Sequence, residues 1–95
     1  KMGWCNDIKS TKNYNKLIRI KKKISYEKLS RKDFKYDLMI PIKYNFSKII
    51  PGKGSCIFIH LTKNYLPTAG CIALKKKDFL ILLKLVKKNT KIKIY

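Results

Sequence analysis

Two residues in this chain have the types and spacing to do chemistry. His60 closes the apolar segment Ser55–His60, and Cys71 follows directly after a glycine in Thr68-Ala69-Gly70-Cys71. A thiol attacks an acyl carbon only as thiolate, and with a reference pKa near about 8.5 it needs a base or a positive field at neutral pH. His60 is the only imidazole available. Gly70 has no Cβ, so a substrate carbonyl can approach the backbone closely. The N–H of Cys71, with that of Gly70, could then stabilise the oxyanion of a tetrahedral intermediate. These are the parts of a cysteine acyl-transfer site except for a side chain that orients the imidazole, a task a backbone carbonyl can perform without a sequence trace.

The elements around the pair must bring it together. Ser55–His60 has the β-branched and aromatic content of a strand, whose side chains alternate faces. That alternation places Cys56, Phe58 and His60 on one face and Ser55, Ile57 and Ile59 on the other, the more apolar set being the expected packing face. Thr62, Lys63, Asn64, Tyr65 and Pro67 cannot sustain a ladder, so the chain is expected to turn there and return at Thr68–Cys71. Beyond Leu74, Lys76–Lys88 carries Phe79, Leu82, Leu83 and Val86 at helical spacing, and this stripe reads as core. Asp78 in its first turn and Lys87-Lys88 in its last suit the helix dipole.

His60, the interval after it, and Thr68-Ala69-Gly70-Cys71 followed by Ile72-Ala73-Leu74 resemble the catalytic motif of the L,D-transpeptidase (YkuD-type) domain. Upstream, Gly3-Trp4-Cys5 with Asp7, Tyr14-Asn15, Tyr36-Asp37-Leu38, Tyr44-Asn45 and Pro51-Gly52-Lys53-Gly54-Ser55 follow the order of short proteins carrying that domain, so the resemblance spans nearly the whole chain. It implies Cys71 as nucleophile, His60 as its base partner, Gly70 in the oxyanion loop and Thr68 as the small hydroxyl residue of the motif. It also implies peptidoglycan stem peptides as substrate, a periplasmic or cell-envelope location, and strands or an export signal before Gly3 that this chain does not include. The commoner motif has histidine before the Gly-Cys pair and a polar or basic residue soon after. Here Ala69 and Ile72-Ala73-Leu74 stand in those places, which leaves open a different acyl acceptor or hydrolysis, an L,D-carboxypeptidase outcome. Tyr65 and Tyr44 are candidates to line the groove, and Tyr65 can equally serve only to pack its loop.

With 95 residues the chain is one domain with a modest core, and its 45% apolar content is that of a folded protein. The net charge of +19 raises nucleic acid or an anionic surface as partner. Yet only Arg19 and Arg31 among 24 basic residues are arginine, and base reading and phosphate clamping lean on arginine's planar fork. No specific nucleic-acid partner is expected, although such a surface suits anionic wall polymers or stem-peptide carboxylates. A catalytically inactive basic binding module for cell wall or nucleic acid is the alternative function. No apolar run is long enough to cross a bilayer, and a monomer is expected. The three cysteines form no CxxC or Cys/His cluster suited to zinc, so neither metal nor cofactor is expected. Cys5 and Cys56 could pair in an oxidising compartment, but as unreactive cysteines they read more simply as small buried apolar residues.

Elsewhere, Lys1–Thr11 reads as loop, with Trp4 either a packing anchor or a wall of the substrate groove. Tyr14–Ile20 reads as a short strand or helical turn, Lys21-Lys22-Lys23 as a solvated run, and Ser25–Leu29 as a helical turn capped by Ser25. Tyr36–Tyr44 is a second strand, which Pro41 assigns to an edge or bulge. Asn45–Gly54 is a loop punctuated at Pro51-Gly52, and Lys91–Tyr95 alternates as a closing strand. Pattern alone gives an α+β class. The resemblance sharpens it to a mostly β domain, a β-sandwich or open barrel-like sheet, with one helix after Cys71 and the catalytic loop at the rim.

Overall fold

In the computed structural model, which describes residues 1–94, two three-stranded sheets and one helix surround the segment that carries His60. The first sheet is antiparallel, with β1 (Met2–Cys5) between β2 (Leu17–Arg19) and β3 (Tyr26–Lys28). The second places β5 (Phe58–Leu61) between β4 (Met39–Pro41) and β6 (Ile72–Leu74), antiparallel to the former and parallel to the latter. Helix α1 (Lys76–Leu85) follows β6. The chain is therefore mostly β with one helix after Cys71.

The first sheet departs from expectation. Met2–Cys5 is its central strand and not a loop, and Ser25–Leu29 contributes β3 and not a helical turn. Neither segment is long or alternating enough to declare a strand alone; each becomes one through partners distant in sequence. Gly3 is fixed by that pairing, because a Cβ there would lie 2.7 Å from the Tyr26 ring. Ser25 uses its hydroxyl to reach Asn6 Oδ1 at 2.7 Å, while its N–H donates to Asp7 Oδ2 at 3.1 Å.

The second sheet carries the core on both faces. On one, Ile59 and Leu61 pack with Phe79 of α1, which is fully buried, and with Ile40, Ile72 and Leu82. On the other, Phe58 meets Trp4 edge to face at 5.2 Å between ring centroids and Tyr36 at 5.7 Å. The expectation of a single packing face for this strand is thus corrected: β5 lies between the helix and the first sheet, and all four of its residues are buried. The strand also starts later than expected, because Cys56 has φ of +60° and breaks the alternation. Pro41 ends edge strand β4, where its missing N–H costs no ladder bond.

Buried Asn15 joins the two halves. Its Oδ1 accepts from Trp4 Nε1 at 2.9 Å, and its Nδ2 donates to the carbonyls of Tyr44 and Asn45 at 3.0 and 2.7 Å. Every side-chain polar group of this residue is satisfied, as burial requires. Asn45 in turn closes its own loop through Ile50 and Gly54.

At the C-terminal end, α1 stops at Leu85, short of Lys88. Val86 is extended, and the Lys87 N–H donates to Thr90 Oγ1 at 2.7 Å instead of continuing the helix. Leu83, expected on the inward stripe, is 41% exposed, since one sheet covers only the arc held by Phe79 and Leu82. Residues 91–94 form no strand, because alternation alone builds no ladder without a paired neighbour; Tyr95 lies outside the described residues.

Candidate active site

The parallel pairing of β5 with β6 sets the segment that carries His60 beside the one that begins after Cys71. His60 lies opposite Ala73, and Cys71 comes directly before β6, two residues ahead of Ala73. A parallel partner demands a crossover, and residues 62–71 provide it without a helix. The Thr62 N–H donates to the Leu74 carbonyl at 2.9 Å where the crossover begins. Thr68 Oγ1 donates to the Cys71 carbonyl where it ends.

His60 is buried, and its Nδ1 lies 2.9 Å from the Leu61 carbonyl. A carbonyl only accepts, so Nδ1 carries the hydrogen, and a neutral ring then presents its lone pair at Nε2. The orienting group is thus main chain, and no side-chain pattern could have revealed it. Cys71 is half-buried, with its thiol donating to the Cys56 carbonyl at 3.1 Å. The left-handed conformation at Cys56 turns that carbonyl toward it.

Gly70 has φ of +119°, a conformation side chains rarely adopt, and a Cβ built there would meet nothing within 4 Å. The glycine is needed for the turn, and the space beside it opens to solvent. Tyr65 and Tyr44 both have partners in the fold. Tyr65 donates to Asp78 Oδ2 at 2.5 Å and accepts from the Lys75 N–H at 3.1 Å, pinning the crossover to the start of α1. Tyr44 donates to the Lys53 carbonyl at 3.0 Å, inside its own loop. Both rings remain about half exposed.

Trp4 is 7% exposed and anchors the first sheet on Phe58. Its remaining edge, with Asn15, Leu17 and Phe46, borders a surface depression of about 300 Å³ that neither His60 nor Cys71 lines. All three cysteines are free thiols. Burial, the largest cause, pushes the Cys56 thiol up to about 11, against a lowering by the Ser55 hydroxyl.

Tyr36 is the residue at this site that sequence reading missed. Its ring meets His60 edge to face at 5.5 Å. Its phenol is held well above the ordinary range, first by burial and then by its hydrogen bond to Glu27, with the nearby Cys71 adding to the effect. Among the described residues no group of three His, Cys, Asp or Glu side chains is arranged to hold a metal ion, and no helix is long and apolar enough to cross a membrane.

A cysteine that follows a glycine and a buried imidazole that donates to a main-chain carbonyl both border the Tyr36 ring. The family model for the L,D-transpeptidase catalytic domain, YkuD, matches residues 6–94, and the chain belongs to that family. No curated protein and no solved structure matches it.

Proposed function

We propose that the protein is a cysteine acyltransferase of the L,D-transpeptidase type acting on peptidoglycan stem peptides through a thioester on Cys71. The observation that supports the reading is a buried imidazole whose Nδ1 donates to the Leu61 carbonyl, on the strand that pairs in parallel with β6, which starts directly after Cys71. Family membership supports the same chemistry.

The thiol first exchanges the Cys56 carbonyl for His60 Nε2 by rotation of its side chain. His60 takes the proton as Sγ bonds to the carbonyl carbon of a diamino-acid residue in the donor stem. Backbone N–H groups at Gly70 and Cys71 receive the oxyanion. The C–N bond to the terminal D-amino acid breaks, and that amine leaves with the proton from His60. In the second half-reaction an acceptor amine gives its proton to His60 and attacks the thioester, releasing the thiol and forming a cross-link; water in its place leaves a trimmed stem. The lysine-rich composition of the chain suits the carboxylates of the stem. Such chemistry places the protein at the cell envelope.

Intact-mass measurement after incubation with a donor tetrapeptide stem, and separately with a carbapenem, tests this. The wild type and Cys56→Ala are expected to gain an adduct, and Cys71→Ala none. No adduct on any form would favour the inactive basic binding module instead.

A further inference from the structure

We infer that Tyr36 is a positioning residue for His60, clamped by Glu27 and Arg31 so that the imidazole keeps one orientation toward Cys71; this rests on the reading of His60 as the base.

The Nδ1 bond to the Leu61 carbonyl selects the tautomer, but as the one hydrogen bond on the ring among the described residues it holds χ2 only while packing keeps it closed. A second contact is needed to aim Nε2, and Tyr36 supplies it at 5.5 Å with rings 76° apart. The phenol ring is itself held from several sides. Its hydroxyl donates to Glu27 Oε1 at 3.0 Å, its face carries the Arg31 guanidinium 5.1 Å from the centroid, and its edge abuts Phe58. Arg31 closes the clamp by pairing with the same Glu27 oxygen at 3.2 Å and with Asp33 at 2.7 Å.

The clamp crosses the molecule. Glu27 lies on β3 of the first sheet, whereas His60 lies on β5 of the second, so Tyr36 transmits the placement of one sheet to the imidazole on the other. The titratable and charged groups facing this cluster are Glu27 from β3, Arg31 and Asp33 from the following loop, and Cys71 ahead of β6. Burial and Glu27 both keep the phenol protonated, so its part is geometric and not that of an acid or base.

The chain has a single histidine, so its two ring nitrogens can be read by 15N NMR without assignment ambiguity. The wild type is expected to show the Nδ1–H tautomer alone in its neutral form, and Tyr36→Leu a mixture of tautomers. Alkylation of Cys71 by iodoacetamide at neutral pH is expected to slow on the order of tenfold in Tyr36→Leu, part of what a positioned base supplies. Tyr36→Phe and Glu27→Gln, which keep the ring but release its anchor, should change both readouts by less. A tautomer population unchanged in Tyr36→Leu, or in both milder variants should that protein not fold, overturns the inference. Neither readout uses a stem peptide, so failure to form an acyl-enzyme would sink the proposed activity without touching Tyr36. An alkylation rate unchanged in His60→Ala would remove the base role on which the inference rests.

Discussion

Cys56 and Cys71 differ in sequence only by their neighbours, and the fold gives them opposite fates. Cys56 sits at a left-handed kink beneath the first sheet, its thiol within 3.7 Å of the Trp4 carbonyl, and burial raises it to about 11. Cys71 opens onto the solvent side of Gly70. Iodoacetamide at pH 8 is therefore expected to label Cys71 and spare Cys5 and Cys56 in the native protein, as peptide mapping would report. A thiol raised from 9.0 to about 11 contributes stability that is present in full below the lower value and is lost as pH rises toward the upper one. The contribution is about 1 kcal/mol, discounted because the thiol is only half-buried. Alkaline unfolding should thus steepen across that window, and Cys56→Ala should flatten the dependence. His60, Cys71, Gly70 and Thr68 could be named as candidates from the sequence because the chemistry proposed for them resides in side-chain type and adjacency. The Leu61 and Cys56 carbonyls were not, since every residue has a carbonyl and only the path of the chain aims one.

Among the elements, α1 was the most readable, its period of Phe79 and Leu82 surviving in the core. Its start is imperfect. Lys75 occupies the N-cap with extended φ and ψ of −63° and 150° but offers no side-chain acceptor to the first turn. A serine there would cap an otherwise unpaired N–H for about 1 kcal/mol. It would forfeit the contact of Lys75 Nζ with the Tyr65 ring, which at an exposed site is worth about 0.5 kcal/mol. Lys75→Ser is therefore expected to raise the thermal midpoint by about two to four degrees, from a net gain of about 0.5 kcal/mol, without moving the crossover, because the bond to Tyr65 comes from the Lys75 backbone. A lowered midpoint would show that the cation on Tyr65 outweighs the cap. The strands were less readable. Three of the six pair through residues with no alternating pattern, and the closing KIKI stretch alternates yet joins neither sheet.

At the scale of the whole molecule, a net charge of +19 is spread over a body with radius of gyration 13.8 Å. At about 0.01 M salt the screening length is roughly 30 Å, longer than the molecule's radius, and at about 0.15 M it is roughly 8 Å. Self-repulsion therefore acts across the entire fold at low salt and only between neighbours at physiological salt. The thermal midpoint should rise as sodium chloride is added over that range. A fall would mean that the exposed ion pairs of Arg31 outweigh the repulsion, contrary to their small expected worth. The sequence by itself determined the candidate residues Cys71 and His60, the glycine ahead of Cys71, the helix and the charge, all of which depend on residue type and short-range spacing. Only the tertiary structure decided that β6, which starts directly after Cys71, runs parallel to the strand that carries His60. It also decided that β1 is a central strand, and that Tyr36 stands between Glu27 and the imidazole. These are pairings between residues far apart in the chain, whose free energy comes from partners that no local pattern names.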